Sequence, residues 1–534
     1  MRLSVRRLAW AVRDRSFPLA LFRPVLFASP FFLPLSFARA QDGASVGAAA
    51  ASITAGDIAR RIAIIAHDSM RGRATPSPEL DEVAAYVAGE FRRFGLKPLG
   101  DGGTFLQRYG IELVRVDTAR SGITVAGGPT FHIGRDVAIP LPRVVEGRAS
   151  GPAVLVSGSG DPARLDVQRL RGAVVLAVVP AAPGGGVSGA GSMLIGALIR
   201  SEAAAVIAVA PVSDSVWASY RPVLSRTTLR PEWERTTGKP LVIVRDRTIA
   251  PLLAQRGLSL ADARRDAALK ITEIADLRLT VTVTQAAVSR ASGPNVVGLL
   301  DGSDPALRRE YLVYSAHMDH VGVPSSGLGC RAQGADSICN GADDDASGTI
   351  AVVELAEAFA TLRPAPRRSI IFLGVSGEER GLWGSEYFAR EPPVPLGQIV
   401  ANLNVDMVGR NWRDTIVAIG KEHSDLGATL ERVNAAHPEL TMTAIDDIWP
   451  EERFYFRSDH YNFARNGVPV LFFFNGVHAD YHRPGDHADK IDAEKESRIA
   501  KLLFYLGLEI ANAADRPKWK PESYRQIVEP GARR

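Results

Sequence analysis

The stretch Tyr311-Leu-Val-Tyr-Ser-Ala316 runs straight into His317-Met318-Asp319-His320. A short, nearly continuous apolar run reads as a strand buried on both faces of a sheet. The runs 370–375, 399–405 and 468–474 have the same texture, dense in Val, Ile, Leu and Phe. Helical patterns over 347–362 and 494–513 alternate with them and would cover the two faces. The spacing predicts an α/β domain over 288–515, with a central, mostly parallel sheet flanked by helices. In such a domain, sites form beyond the carboxyl ends of the strands.

The polar residues fall at those ends. The loop after His320 leads to Gly341-Ala-Asp343-Asp344-Asp345-Ala-Ser347-Gly348, which opens a helix. The 370–375 run ends in Gly377-Glu378-Glu379-Arg380-Gly381, and 399–405 ends in Asp406. The 468–474 run leads to Tyr481-His482-Arg483-Pro484-Gly485-Asp486. Imidazoles and carboxylates converging from several strand ends suit a borderline metal such as zinc. Taken singly, each feature also reads as an ordinary solvated acid, helix cap or surface histidine; their ordered recurrence carries the argument. No HExxH occurs, which excludes the single-helix zinc protease design.

Upstream, 54–109 is helical in pattern, with Ile58, Ile62 and Ile65, then Val83, Tyr86, Val87 and Phe91, at turn spacing. Between these helices Met70-Arg71-Gly72-Arg73-Ala74-Thr75-Pro76 reads as a loop. Region 41–120 is therefore taken as the helical start of the catalytic domain. Region 121–287 changes to short β-like runs broken by glycines, without a catalytic-looking cluster, and reads as an inserted small β-rich domain. The tail, 516–534, is polar and is expected to add little.

The 534-residue chain is 46% hydrophobic and 23% charged, with a net charge of +4. That composition supports a folded core of two or three domains. No Lys/Arg stripe interleaved with aromatics is present, which argues against a nucleic-acid partner. Residues 1–40 combine a basic start, an apolar stretch and Ala38-Arg39-Ala40, the pattern of a signal peptide removed after Ala40. Arg23 and several prolines keep the apolar run below the ~20 residues that span a bilayer, against the rival reading of a retained anchor. Export to the periplasm or exterior, without stable membrane insertion after cleavage, is the expectation. In that compartment the two cysteines, Cys330 and Cys339, are candidates for a local disulfide, with two free thiols as the alternative.

The ordered set His-x-Asp, Gly-Ala-x-Asp-Asp-x-Ser-Gly, Gly-Glu-Glu-x-Gly, Asn-x-Asp-Met and Tyr-His-x-Pro-x-Asp resembles the bacterial leucyl aminopeptidase and glutamate carboxypeptidase superfamily. The resemblance covers roughly 290–515 and extends to Met70-Arg71-Gly72-Arg73 and Ser458-Asp459-His460. The middle region is similar to a protease-associated domain, chiefly at Leu170-Arg171-Gly172-Ala173-Val174-Val175. The resemblance implies a secreted exopeptidase with two zinc ions per chain, acting on peptides. It implies that His317 and Asp406 bind one zinc, that Glu379 and His482 bind the other, and that Asp344 bridges them. It also implies Glu378 as general base, Asp319 as the carboxylate orienting His317, and Tyr481 as the hydroxyl facing the oxyanion.

Alternatives stay open around this set. Asp343 or Asp345 would exchange roles with Asp344 under a neighbouring assignment. His320 is expected to point away from the metals, His478 and His487 to lie at the rim or surface, and Asp486 to buttress the His482 loop. Trp383, Trp412 and Trp449 are candidates for lining a substrate pocket or for packing. An aminopeptidase is the leading expectation; a carboxypeptidase or dipeptidase, needing Arg410, Arg413, Arg453 or Arg457 near the substrate carboxylate, is the runner-up. A receptor-like binding protein on the same scaffold would have lost ligands.

Overall fold

The computed structural model describes residues 43–529, apart from 141–143, 181 and 183–186. The expected leader, 1–40, and the end of the tail from 530 lie outside the described residues. Four strands, Val470–Phe474, Ile399–Val405, Tyr311–His317 and Ser369–Val375, lie side by side and parallel, with almost unbroken burial along each. Chain order and spatial order differ here. Tyr311–His317 sits between the two strands that follow it in sequence, Ser369–Val375 on one side and Ile399–Val405 on the other. The sheet therefore grows first one way and then the other, which makes the carboxyl end of Tyr311–His317 a topological switch point.

The architecture is α/β as expected, with a parallel centre, and the sheet as a whole is mixed rather than purely parallel. Beyond the parallel centre, Gln285–Leu300 joins Ser369–Val375 antiparallel, and Leu106–Val116 and Thr228–Pro231 continue antiparallel outward. On the other side Thr415–Ile419 runs antiparallel to Val470–Phe474. The outer strands escaped the sequence reading for a physical reason. Burial along Leu106–Val116 is broken by half-buried and exposed positions, and the first part of Gln285–Leu300 is largely exposed. Neither gives the apolar run that marks a strand covered on both faces.

One face of this sheet carries the helices Ala55–Ile65, Pro78–Arg93, Gly348–Thr361 and Ala493–Asn512, which share a single apolar core with it. Thr54 and Ser77 start the first two by accepting backbone N–H bonds from Asp57 and Leu80, as capping residues do. The opposite face packs on Trp383–Arg390, His460–Ala464 and the tail helix Pro521–Ile527. The tail thus adds more than its polarity suggested: Ile527 joins this core, and Trp519 donates its indole N–H to the Gly467 carbonyl at 2.9 Å.

A second, eight-stranded sheet is built between 122 and 283, with apolar clusters on both of its faces. Gln285–Leu300 crosses the 287/288 position and pairs with Leu106–Val116 on both sides of it. Cys330 and Cys339 are joined in a disulfide that closes a loop between the first strand end and the Asp343–Asp345 turn. Among the described residues, no helix is long and apolar enough to cross a membrane.

Candidate metal centre and active site

His317 is the last residue of its strand. Its Nε2 lies 3.3 Å from Asp344 Oδ1 and 3.6 Å from Asp406 Oδ1. The Nδ1 side is held by the backbone carbonyl of Asp319 at 3.1 Å. The Asp319 carboxylate, expected to orient the ring, stands 3.7 Å from the same nitrogen. The turn after the strand folds the main chain back under the imidazole, and a carbonyl fixes a tautomer as well as a carboxylate does. The Asp319 carboxylate accepts the Thr75 hydroxyl at 2.8 Å and the Glu378 backbone N–H at 3.3 Å.

The three consecutive aspartates are sorted by what their oxygens already hold. Asp345 accepts the backbone N–H groups of His317, Gly348 and Met407 at 2.9–3.1 Å. Asp343 accepts from Gly409 N–H at 2.6 Å and from the Ser347 hydroxyl at 3.1 Å. Their carboxylates tie the loop to the end of Tyr311–His317 and to the residues that follow Ile399–Val405. Asp344 faces the crevice with both oxygens: Oδ1 toward His317, and Oδ2 toward His482 Nε2 at 3.2 Å and His320 Nδ1 at 3.5 Å. The loop is secured further from below. Asp486 accepts the N–H groups of Asp343 and Asp344 at 3.0–3.2 Å, so it buttresses this turn. Arg73, fully buried, donates to the carbonyls of Met318, Asn340 and Gly341.

Glu379 closes the other half, with Oε2 at 3.2 Å from His482 Nε2 and Oε1 at 3.0 Å from His320 Nδ1. Glu378 lines the same crevice as His317, Asp344, Asp406 and Tyr481. The Tyr481 ring stacks on His482 at 3.9 Å. Asp406 is braced by the Ser458 hydroxyl, which donates to Oδ2 at 2.8 Å. All eight site residues expected from the sequence therefore sit around one crevice. His320, expected to point away, is part of the cluster. His478, expected at the rim, has a buried side chain 3.3 Å from Asp343, whereas His487 is 40% exposed. Trp383 packs with Tyr109 and Ile111 beneath the outer strand. Trp412 stacks on Trp449, which in turn meets Phe454 and Phe474 of the crevice wall.

Thr75, Asp345 and Ser458 also matter to the geometry. They act by anchoring backbone or other carboxylates; Asp345 and Ser458 lay in stretches that the family resemblance had picked out, and Thr75 did not.

The donor set fits divalent cations. Two groups, His320/Asp344/Glu379/His482 and His317/Asp345/Asp406, each bring candidate ligand atoms within 4.8 Å of one another. Both ring nitrogens of His320 and Oε1 of Glu379 are buried without a hydrogen-bond partner. Burial alone would raise the Asp344 pKa, but the imidazoles of His320, His317 and His482 outweigh it and hold the carboxyl well below the usual range. Burial, reinforced by Glu379, Asp459 and Asp406, pushes Glu378 well above it, with His317 opposing. So many carboxylates in a poorly solvated crevice favour positive charge beside them.

Residues 295–507 match the model of peptidase family M28. Over that stretch the chain is similar to that family. Among relatives, a “Probable zinc metalloprotease” of Pyricularia oryzae is 30% identical over 289 residues, covering 44% of this chain and 55% of its own. A “Probable leucine aminopeptidase” of Arthroderma otae is 27% identical over 217 residues, covering 39% and 56%. The chain spans about half the length of the curated relatives it matches. Among solved structures, an aminopeptidase from Aneurinibacillus sp. strain AM-1 aligns over 89% of this chain and 97% of its own, at 18% identity and a TM-score of 0.44.

Proposed function

We propose that the protein is an exported aminopeptidase that uses two zinc ions to hydrolyse the amino-terminal residue from peptides. The observation that carries this reading is Asp344, whose two oxygens face two separate ligand groups, with Glu378 lining the same crevice. His317 and Asp406 would hold one ion, Glu379 and His482 the other, and Asp344 both. When bound, the pair would supply Lewis acidity, polarising the scissile carbonyl and acidifying a water. Glu378 accepts the proton of the attacking water and returns it to the leaving amine, the work of a general base whose pKa burial has raised. The Tyr481 hydroxyl, at the crevice wall, donates to the oxygen that gains charge. Met407, Phe454, Phe472, Phe474 and Val477 line the crevice and favour an apolar substrate side chain.

The names of the relatives support a zinc peptidase, and those in Arthroderma support the amino end. One observation favours a second reading, cleavage at the carboxyl end. Arg457 lines the crevice, held over the Phe454 ring at 4.7 Å, and could meet a substrate carboxylate. Arg457 also pairs with Glu452 at 3.5 Å, and the other candidates do not line the crevice: Arg410 pairs with Asp480, Arg413 with Asp492, and Arg453 lies over Phe456. Aminoacyl chromogenic substrates with free and blocked amino groups separate the two. Turnover of the free-amine set alone supports the aminopeptidase, and turnover of the blocked set alone overturns it.

Export rests on the leader-like residues 1–40, and a mature protein beginning at Gln41 is its direct check. The sheet between 122 and 283 is read as a protease-associated accessory domain on the Leu170–Val175 resemblance.

A further inference from the structure

His320 has no solvent exposure, and its ring is wedged against Gly341, whose backbone leaves no room for a Cβ on that side. Gly341 also takes a left-handed φ of 62°, which a side chain would disfavour, so the contact that fixes the imidazole depends on glycine twice over. The ring meets His482 edge to face, with centroids 5.5 Å apart. Nδ1 lies 3.0 Å from Glu379 Oε1, yet the two do not form an aligned hydrogen bond, and neither atom has a hydrogen-bond partner elsewhere. A buried polar pair this close would normally align, because an unmet donor or acceptor costs stability. Misalignment at such a short distance is what results when two groups point at a common third body.

The spacings have a specific shape. Ligand atoms about 2.0–2.1 Å from a tetrahedral zinc stand roughly 3.3 Å from each other. The four contacts that link two imidazoles with two carboxylates here are 3.0 Å for His320–Glu379 and 3.5 Å for His320–Asp344. They are 3.2 Å for His482–Asp344 and 3.2 Å for His482–Glu379, with Glu379 turning Oε1 toward His320 and Oε2 toward His482. These contacts are close to tetrahedral edge lengths, and one ligand atom from each of the four residues lies within 4.8 Å of the others. Among the described residues, no second imidazole joins the group of His317 and Asp406, and Asp345, which lies 4.0 Å from His317 Nε2, has its oxygens committed to three backbone N–H groups.

We infer that His320 is a metal ligand through Nδ1, completing a two-imidazole, two-carboxylate site with Asp344, Glu379 and His482. The inference rests on the two-zinc reading above and goes beyond the ligand set that the sequence pattern implied. It makes the centre asymmetric. The half containing His320 is filled by protein donors and retains its ion, as closed sites do, while the half containing His317 and Asp406 keeps a position open for water and substrate.

Zinc-edge X-ray absorption on the zinc-loaded full-length protein counts imidazoles directly. Three imidazoles over two ions are expected in the wild type, and two over two ions in His320→Asn. His320→Asn should also hold the ion of its own half about 10–100-fold more weakly in a chelator competition. Two imidazoles over two ions in the wild type overturn the assignment of His320 and leave the two-zinc reading standing. An imidazole count that does not change on substitution does the same. A protein that binds no zinc overturns that reading and this ligand with it.

Discussion

Ser458 donates its hydroxyl to Asp406 Oδ2 at 2.8 Å, and this contact is the last link of a buried chain. Asn402 donates to Ser315, Ser315 to Asn404, and Asn404 to Ser458, at 2.6–3.0 Å. The chain crosses from the Tyr311–His317 strand to Ile399–Val405 and fixes the rotamer of a proposed metal ligand. Ser458→Ala should therefore weaken metal retention by about 10–100-fold without unfolding the protein. Chelator competition reads the change; unaltered affinity means that Asp406 is positioned without help.

Glu378 offers its side chain to the crevice directly before the proposed ligand Glu379. Glu378→Gln keeps size and shape but removes the proton acceptor. Zinc content should stay at the wild-type level while kcat falls by about 10²–10⁴-fold. Near-normal kcat in this variant removes Glu378 from the role of base.

Zinc binding should release protons. Burial pulls the His482 imidazole pKa down, but the carboxylates of Asp344 and Glu379 outweigh it and raise the value to about 10. Near neutral pH the ring of the zinc-free protein is protonated, and it must become neutral to serve as a ligand. Affinity should thus weaken as pH falls. The same contact stabilises the zinc-free fold fully below the unfolded value near ~6.5, and that contribution is lost as pH rises through about 10. Calorimetry in buffers of different ionisation enthalpy measures the proton count, and a titration without proton release contradicts the assignment.

Arg61 lies behind the site, fully buried, where it pairs with Glu354 and Glu357 and reaches Glu90 at 3.1 Å. It ties the helices Ala55–Ile65, Pro78–Arg93 and Gly348–Thr361 together across one face of the sheet. Arg61→Ala leaves Glu354 buried without its cation and should cost about 3–5 kcal/mol of stability. Denaturant unfolding tests this, and a loss within ~0.5 kcal/mol, typical of a surface substitution, contradicts it.

How much of this was legible in the sequence follows from burial. Tyr311–His317, Ser369–Val375, Ile399–Val405 and Val470–Phe474 are covered on both faces, so each appeared as an unbroken apolar run with its chemistry at the end. Leu106–Val116 and Gln285–Leu300 are only partly covered and left no comparable run. The clustering of His317, Asp344, Glu379, Asp406 and His482 was anticipated from a family resemblance. Which of Asp343, Asp344 and Asp345 faces the crevice depends on backbone N–H groups brought in from residues as distant as Met407 and Gly409, and spacing does not encode that. His320 lies three residues beyond His317, and only the turn at Asp319 decides that its ring swings inward rather than away.

The central claim is that two ligand groups joined by Asp344 work as one hydrolytic centre. Stepwise zinc titration of the metal-free, full-length protein, with peptide hydrolysis followed at each step, tests it most directly. Binding should saturate at two zinc ions per chain, with full turnover reached only as the second site fills. Saturation at a single ion with full activity, or hydrolysis that survives complete metal removal, would contradict it.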